Sequence, residues 1–425
     1  MIRWSDPAYW LLHFCSRWML RVLYPGSEVR GLERAKMKGP MIVTGNHPNT
    51  LMDPLFVGIF MDERLHFLAH AGLFQNKLLA GFLGFAGVVP IARAQDRAAG
   101  LNVDNDASFS KVIELLSDGR CLFIAPEGES ELELKLRPLK SGMARIALAT
   151  ESNQNWTLGL RILPATISYE SPTTAFSRAY IQYAEPILVA DWKDRYEANS
   201  SKAIKNLTLE VDKRMRGQLI DTRGKEEEKL LLTLSRALQN DDPQSVSNHH
   251  TRTQVMLSSL RQLPTDEWQH LQAKAASYAS HLRKYKLIDL SLSGHPKRKP
   301  LLGTLLGFPI FLWGLINHIL IIGLVLLAEK LTGIIPNYLA TLRGLVGWLG
   351  VFVFYPLQSW LVGSTYGSIL GWLYFLHLPV VGLIALAYWT TYLPAFASLH
   401  GTKVKVELQK DRTALLKETN KILRS

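Results

Sequence analysis

Cysteine is almost missing: Cys15 and Cys121 are the 2 in 425 residues. They provide no disulfide framework and no cysteine metal site, and they fit a reducing compartment. No Cys or His cluster stands at metal-ligand spacing; His249 and His250 are adjacent in a polar stretch and read as solvated. A signal peptide is not expected, because "YWLLHFCSRWMLRVLY" is broken by His13, Arg17 and Arg21. There is no repeat of solenoid length and no low-complexity tract. No basic-aromatic stripe supports nucleic-acid binding. Residues 301–397 carry long stretches with almost no charge.

What is present divides the chain. Net charge is +12, from 48 Lys+Arg against 36 Asp+Glu, which suits an anionic partner such as a lipid headgroup or a phosphorylated substrate. Residues 1–27 place apolar residues at helical spacing with basic ones between, fitting a helix on a membrane surface or a first core helix. From 41 to 190, β-rich runs ("MIVTG", "LHFLAHA", "GVVPIA", "RCLFIAPEG", "LRILPATIS", "RAYIQYAEPI") alternate with helical patterns. That alternation predicts an α/β domain over 28–190. Residues 191–300 hold charged helical patterns joined by polar stretches such as "NDDPQSVSNHHTR", and read as a helical arm or appendix. Residues 301–397 open with an uncharged run, Leu301–Ala328, longer than the roughly 20 residues a bilayer needs. Two more uncharged runs follow, predicting a C-terminal α-helical membrane region; residues 398–425 read as a basic helical tail.

The candidate chemistry sits at strand exits, where α/β sheets bind ligands. In "GNHPNTLMDP", Pro48 breaks the chain, Asn49 or Thr50 can cap the next helix, and Asp53 falls in its first turn. Regular helix would put His47 and Asp53 on different faces, so a contact requires an irregular start. If they meet, the carboxylate fixes the imidazole tautomer, and the other ring nitrogen can take a proton from an alcohol. That is the logic of a serine-hydrolase triad with the substrate hydroxyl in place of serine. The same residues also suit a polar helix cap, and the pair alone leaves both readings open. Arg93 in "GVVPIARAQDR" offers a planar fork for phosphate, or is a surface arginine. Glu127 and Gly128 in "LFIAPEGESE" mark a close backbone approach to a ligand, or an ordinary turn. "LRPLKSGMARIA" sets Lys140 before the N–H groups of a helix start, with Arg137 and Arg145 adding charge: an anion site or a capped surface helix.

In order and approximate spacing, "NHPNTLMDP", "GVVPIAR", "APEGES" with "LRPLKSG", and "ILPATI" resemble the four blocks of the glycerolipid acyltransferase family, over about residues 28–190. The resemblance implies an α/β acyltransferase domain. It also implies acyl transfer from acyl-CoA or acyl carrier protein to a hydroxyl of glycerol 3-phosphate, dihydroxyacetone phosphate or a lysophospholipid such as 1-acylglycerol 3-phosphate. In it, His47 looks like the general base and Asp53 its orienting partner. Arg93, Glu127 and Gly128 look like glycerophosphate contacts, and Pro164 falls in the block linked to acyl-donor binding or site shape. No metal is implied, and no cofactor beyond the acyl donor. The chain departs from the family pattern twice. Five residues rather than four separate the histidine from the aspartate, and Glu129 and Ser130 stand where Thr-Arg is usual. Both variants resemble a branch similar to fungal-type glycerol-3-phosphate/dihydroxyacetone-phosphate acyltransferases. With that arginine missing, Arg137 or Lys140 is expected to meet the phosphate.

The expectation is a membrane-bound O-acyltransferase of phospholipid biosynthesis, its 28–190 domain facing the cytosol (on the inner membrane if bacterial) and no nucleic acid among its partners. Backbone N–H groups near the helix starts are expected to hold the oxyanion. A membrane transporter subunit is the rival from another class; its mark would be ionisable residues inside the spans, where only His318 and His377 qualify. Basic flanks, "KRK" at 297–299 and the tail from Thr402, favour one face for both ends of the apolar region. Three apolar runs then conflict with an even number of crossings. A re-entrant or interfacial middle run, or a further turn near Pro309, would reconcile them.

Overall fold

The computed structural model describes residues 7–91, 105–293, 301–391 and 402–424; Arg93 and "KRK" lie outside them. After helix α1 (Pro7–Leu23), the sheet is built from β1 (Glu28–Arg30), β2 (Met41–Gly45), β3 (Leu65–His70), β4 (Val88–Ile91), β5 (Cys121–Ile124), β6 (Arg161–Tyr169), β7 (Ala179–Tyr183) and β8 (Ile187–Leu188). Its order is β1-β7-β6-β2-β5-β3-β4, with β8 also paired to β6. Central β2 runs parallel to both neighbours, Val43 in register with Phe123 on β5 and Leu163 on β6. Every residue of β2 and β5 is buried. Helices cover both faces of such strands, which is why they read as unbroken apolar runs.

Helices α2 (Leu32–Ala35), α3 (Met52–Gly58), α4 (Lys77–Phe85), α5 (Asn105–Ser117), α6 (Gly142–Asn153), α7 (Lys193–Ala198) and α8 (Ser200–Arg216) accompany the strands. Leu116 of α5, Ile146 of α6 and Leu207 of α8 share the core under one face. Leu20 of α1 with Met52 and Phe56 of α3 fill the other. The α/β layer therefore runs past the boundary expected at 190, because Ala203, Leu207, Val211 and Met215 make an apolar stripe along α8.

The arm consists of α9 (Lys225–Asp241), α10 (Val246–Leu260) and α11 (Thr265–Lys284). Here one expectation is corrected. The stretch holding His249 and His250 is not a solvated loop but the start of α10, capped by Ser245, whose side chain accepts from Asn248 N–H. His250 is buried, its Nε2 2.8 Å from the Gln218 carbonyl. His249 Nε2 lies 3.2 Å from the Ser235 hydroxyl. Burial lowers the pKa of both rings, that of His249 to about 4. Their polar neighbours hid a buried helical stripe of Val246, His250, Thr253, Leu257 and Leu260.

Three further helices follow: α12 (Leu301–Thr332), α13 (Leu339–Tyr366) and α14 (Ser368–Thr391). By length and composition the segments Leu306–Thr332, Pro336–Tyr366 and Ser368–Thr390 can each cross a membrane. Helix α12 continues through Pro309, so the extra turn considered there is not made. Polar side chains pair inside the bundle: Tyr355 O–H with His318 Nε2 at 2.7 Å, and Trp313 Nε1 with His377 Nε2 at 3.0 Å. Both histidines thus join helices together, as polar groups in apolar bundles do. Helix α15 (Thr402–Arg424) then returns to the arm, where Leu408, Leu415 and Ile422 share one core with Leu234, Leu257 and Leu271. Buried Arg412 seals the contact, donating to Asp289 (3.2 Å), Asp241 (2.9 Å) and the Ala237 carbonyl (2.8 Å).

Candidate active site

The site is built at the exit of β2. A Cβ on Gly45 would come within 2.8 Å of the Phe123 ring, so the strand needs glycine there. Asn46 then ties the chain to β6: its Nδ2 donates to the Ile167 carbonyl (3.0 Å) and its Oδ1 accepts from Ile167 N–H (2.8 Å). After Pro48 the backbone reverses through Thr50, whose φ of 44° is left-handed and uncommon for a β-branched residue. Only then does α3 begin. This irregular start brings His47 Nδ1 to 3.1 Å from Asp53 Oδ2.

Asp53 is fully buried. Its Oδ2 also accepts from Asn49 N–H (2.7 Å), and its Oδ1 from the Tyr169 hydroxyl (2.7 Å). Burial and the neighbouring carboxylate push the Tyr169 phenol far above its ordinary pKa, so it remains a donor. A carboxylate beside Nδ1 selects the tautomer with the proton there, leaving Nε2 as the base. Neither Asn49 nor Thr50 caps α3, as the sequence had led one to expect. Asn49 Nδ2 instead donates to Tyr24 O–H (2.9 Å) and the Pro172 carbonyl (3.0 Å).

Glu127, from the loop after β5, is buried and braces two loops: it accepts from His47 N–H (3.2 Å) and from Arg137 N–H (2.9 Å). Burial raises its pKa against those bonds. Gly128 has φ 75°, and a Cβ there would meet Lys140 Nζ at 2.5 Å, so the exposed lysine lies across the glycine. Arg137 is ion-paired with Glu129 (3.1 Å), Glu131 (3.6 Å) and Glu133 (3.7 Å). Arg145 stacks on the Phe109 ring at 5.9 Å. Pro164 is buried in β6, in register with Thr44, under the floor of the site. The N–H groups of Asn49, Thr50, Met52 and Asp53 are already bonded, so the start of α3 does not offer them as oxyanion donors; that of α6 stands at the same sheet edge. Among the described residues no group of three or more His, Cys, Asp or Glu could hold a metal. Sequence reasoning missed Tyr169 and Tyr24, which reach the dyad only through strand pairing and helix packing.

Residues 26–168 match the Acyltransferase family. The chain is 32% identical over 111 residues to glycerol-3-phosphate O-acyltransferase 2 of Saccharomyces cerevisiae, covering 25% of this chain and 15% of the yeast protein. It is 25% identical over 159 residues to a chloroplastic 1-acyl-sn-glycerol-3-phosphate acyltransferase of Brassica napus, covering 36% of this chain and 42% of that one. The crystal structure of the 1-acyl-sn-glycerophosphate acyltransferase of Thermotoga maritima aligns with a TM-score of 0.37 and 20% identity, over 51% of this chain and 82% of that one. The matched segments span less than half of these two curated relatives. Residues 26–168 thus carry a domain of the Acyltransferase family, similar in sequence to those of glycerolipid acyltransferases.

Proposed function

We propose that the chain is a membrane-bound O-acyltransferase that moves an acyl group from acyl-CoA or acyl carrier protein to a hydroxyl of glycerol 3-phosphate or dihydroxyacetone phosphate, with its α/β domain facing the cytosol. The observation that carries this reading is the dyad: a half-buried imidazole 3.1 Å from a buried carboxylate that accepts two further hydrogen bonds. His47 Nε2 takes the acceptor's hydroxyl proton as the oxygen attacks the thioester carbonyl. Asp53 stabilises the imidazolium that forms. Collapse of the tetrahedral intermediate breaks the C–S bond, and the thiolate takes the proton back from His47. We assign acceptor phosphate to Lys140 with the start of α6, and to Arg93, two positions beyond β4 in the sequence. Arg137 is the weaker candidate, since three carboxylates already surround it.

A second reading, with a lysophospholipid as acceptor, is favoured by one observation: the apolar helix α13 begins against the catalytic loop, with Ala340 in the same core as Met52. The test incubates purified protein with labelled acyl-CoA and each acceptor in turn, and identifies the lipid formed. His47→Ala is expected to cut turnover at least ~10²-fold. Release of free fatty acid with no acylated acceptor would overturn the proposal in favour of a thioesterase.

A further inference from the structure

The two departures from the family pattern meet at one place. The longer loop between His47 and Asp53 turns at Thr50, and Ser130 stands two residues after Gly128. Thr50 is buried, and its hydroxyl lies 3.2 Å from the Asn337 carbonyl and 2.8 Å from the Thr341 hydroxyl. Its N–H donates to Ser130 Oγ at 3.2 Å. Buried Asn337 closes the circle, its Nδ2 donating to the Ser130 carbonyl at 2.6 Å. Asn337 belongs to the turn between α12 and α13 and Thr341 to the first turn of α13, almost 300 positions along the chain. Neighbouring contacts hold that turn firmly. Arg343 pairs with Glu329 at 2.7 Å and donates to the Thr173 carbonyl at 3.1 Å. A Cβ on Gly344 would approach Met19 Sδ at 3.0 Å, so α13 lies close on α1.

We propose that Thr50, Ser130, Asn337 and Thr341 form a clamp through which the apolar helices position the catalytic loop, making Asn337 and Thr341 positioning residues of the active site. The inference rests on the acyltransferase reading for its effect on turnover, and on geometry alone for its effect on the loop. Thr50 sits between the two members of the dyad in a backbone conformation that a threonine rarely adopts by itself. Its side chain donates to Asn337 and accepts from Thr341, and these bonds oppose relaxation of φ. Relaxation would rotate the start of α3 and carry Asp53 away from His47.

The test uses full-length protein in phosphatidylcholine nanodiscs. Thr341→Val keeps the shape and removes the hydroxyl; Thr341→Ser keeps the hydroxyl. For each, hydrogen exchange of the peptide over 46–55 is read by mass spectrometry beside acyl transfer. Thr341→Val is expected to speed exchange across 46–55 about 10-fold, the loss of roughly one buried hydrogen bond, while peptides from β2 and β5 keep wild-type rates. Its kcat is expected to fall about 10- to 100-fold with little change in KM for the acyl donor, as a misplaced base requires. Thr341→Ser restores both. Should Thr341→Val fail to fold, Ser130→Ala removes the neighbouring acceptor and carries the same expectations. Unchanged exchange over 46–55 overturns the clamp whatever the activity, and faster exchange with undiminished transfer overturns its positioning role. Faster exchange in a protein whose wild type transfers no acyl group upholds the clamp and rejects the acyltransferase reading.

Discussion

Asp53→Asn separates the charge of the dyad from its shape. In the wild type three donors converge on the carboxylate: His47 Nδ1–H, Asn49 N–H and Tyr169 O–H. An amide oxygen in the place of Oδ2 keeps the first two. The amide nitrogen then faces Tyr169, whose hydroxyl can turn and accept. The loop should survive, and what disappears is the negative charge beside the imidazolium of the transition state. At an effective dielectric of about 20, unit charges about 4 Å apart attract by about 4 kcal/mol. Because His47 is partly exposed, we take about 3 kcal/mol of this, a loss of roughly 10²-fold in kcat. Asp53→Ala differs, since it strands three donors at ~1–3 kcal/mol each and should lower stability as well. The assay is initial rate at saturating labelled acyl-CoA, with thermal unfolding alongside. A kcat for Asp53→Asn within threefold of wild type, or unfolding as early as Asp53→Ala, refutes the reasoning.

Arg412→Met should destabilise the arm by about 3–5 kcal/mol, because it leaves Asp289 buried beside a lost cation; a loss below about 1 kcal/mol in denaturant titration would exclude that network as the seal. The lowered pKa values of His249 and His250 mean that the arm prefers both rings neutral. That stability is complete above the unfolded value near 6.5 and drains as pH falls toward the folded values, about 4 for His249. Thermal unfolding between pH 7.5 and 4.5 should therefore fall less steeply in His249→Gln than in wild type, and equal slopes would contradict this; His66, likewise held to about 4, is common to both proteins. Arg93→Ala should raise KM for the phosphorylated acceptor and spare the acyl donor, a change confined to the donor being the contrary result. For topology, cysteines at Arg298 and Ser425, after replacement of Cys15 and Cys121, should label with an impermeant reagent only once cells are permeabilised. Ser368→Cys, between α13 and α14, should label in intact cells; opposite accessibility of 298 and 425 would mean an odd number of crossings.

That last expectation shows what the sequence could and could not disclose. Strands such as "MIVTG" and the three apolar helices were legible because burial on both faces, or lipid on all sides, leaves a local signature. The dyad was half legible: residue types and the broken helix start stood in the sequence, but the turn at Thr50 depends on Thr341, far along the chain. Tyr169 reached Asp53 only through the register of β6 beside β2. Helix α10 was hidden because its buried stripe includes His250 and Thr253, polar residues whose partners lie on other elements. The contacts that tie both ends of the apolar region to the rest of the chain were equally invisible in the sequence. The arm and α15 share one core, and the turn before α13 bonds to the α/β domain.

The shared core of the arm and α15 also sets an order of events during synthesis. Helices α9 to α11 leave the ribosome well before α15, with the whole apolar segment between. At about 5–20 residues per second, that interval is on the order of ten seconds. Throughout it the grooves destined for Leu408, Leu415 and Ile422 stay open, and Asp289 waits for Arg412. The arm is therefore a late-closing latch, completed only after the apolar segment has been synthesised. A chain stalled before residue 402 would leave that apolar helical layer uncovered.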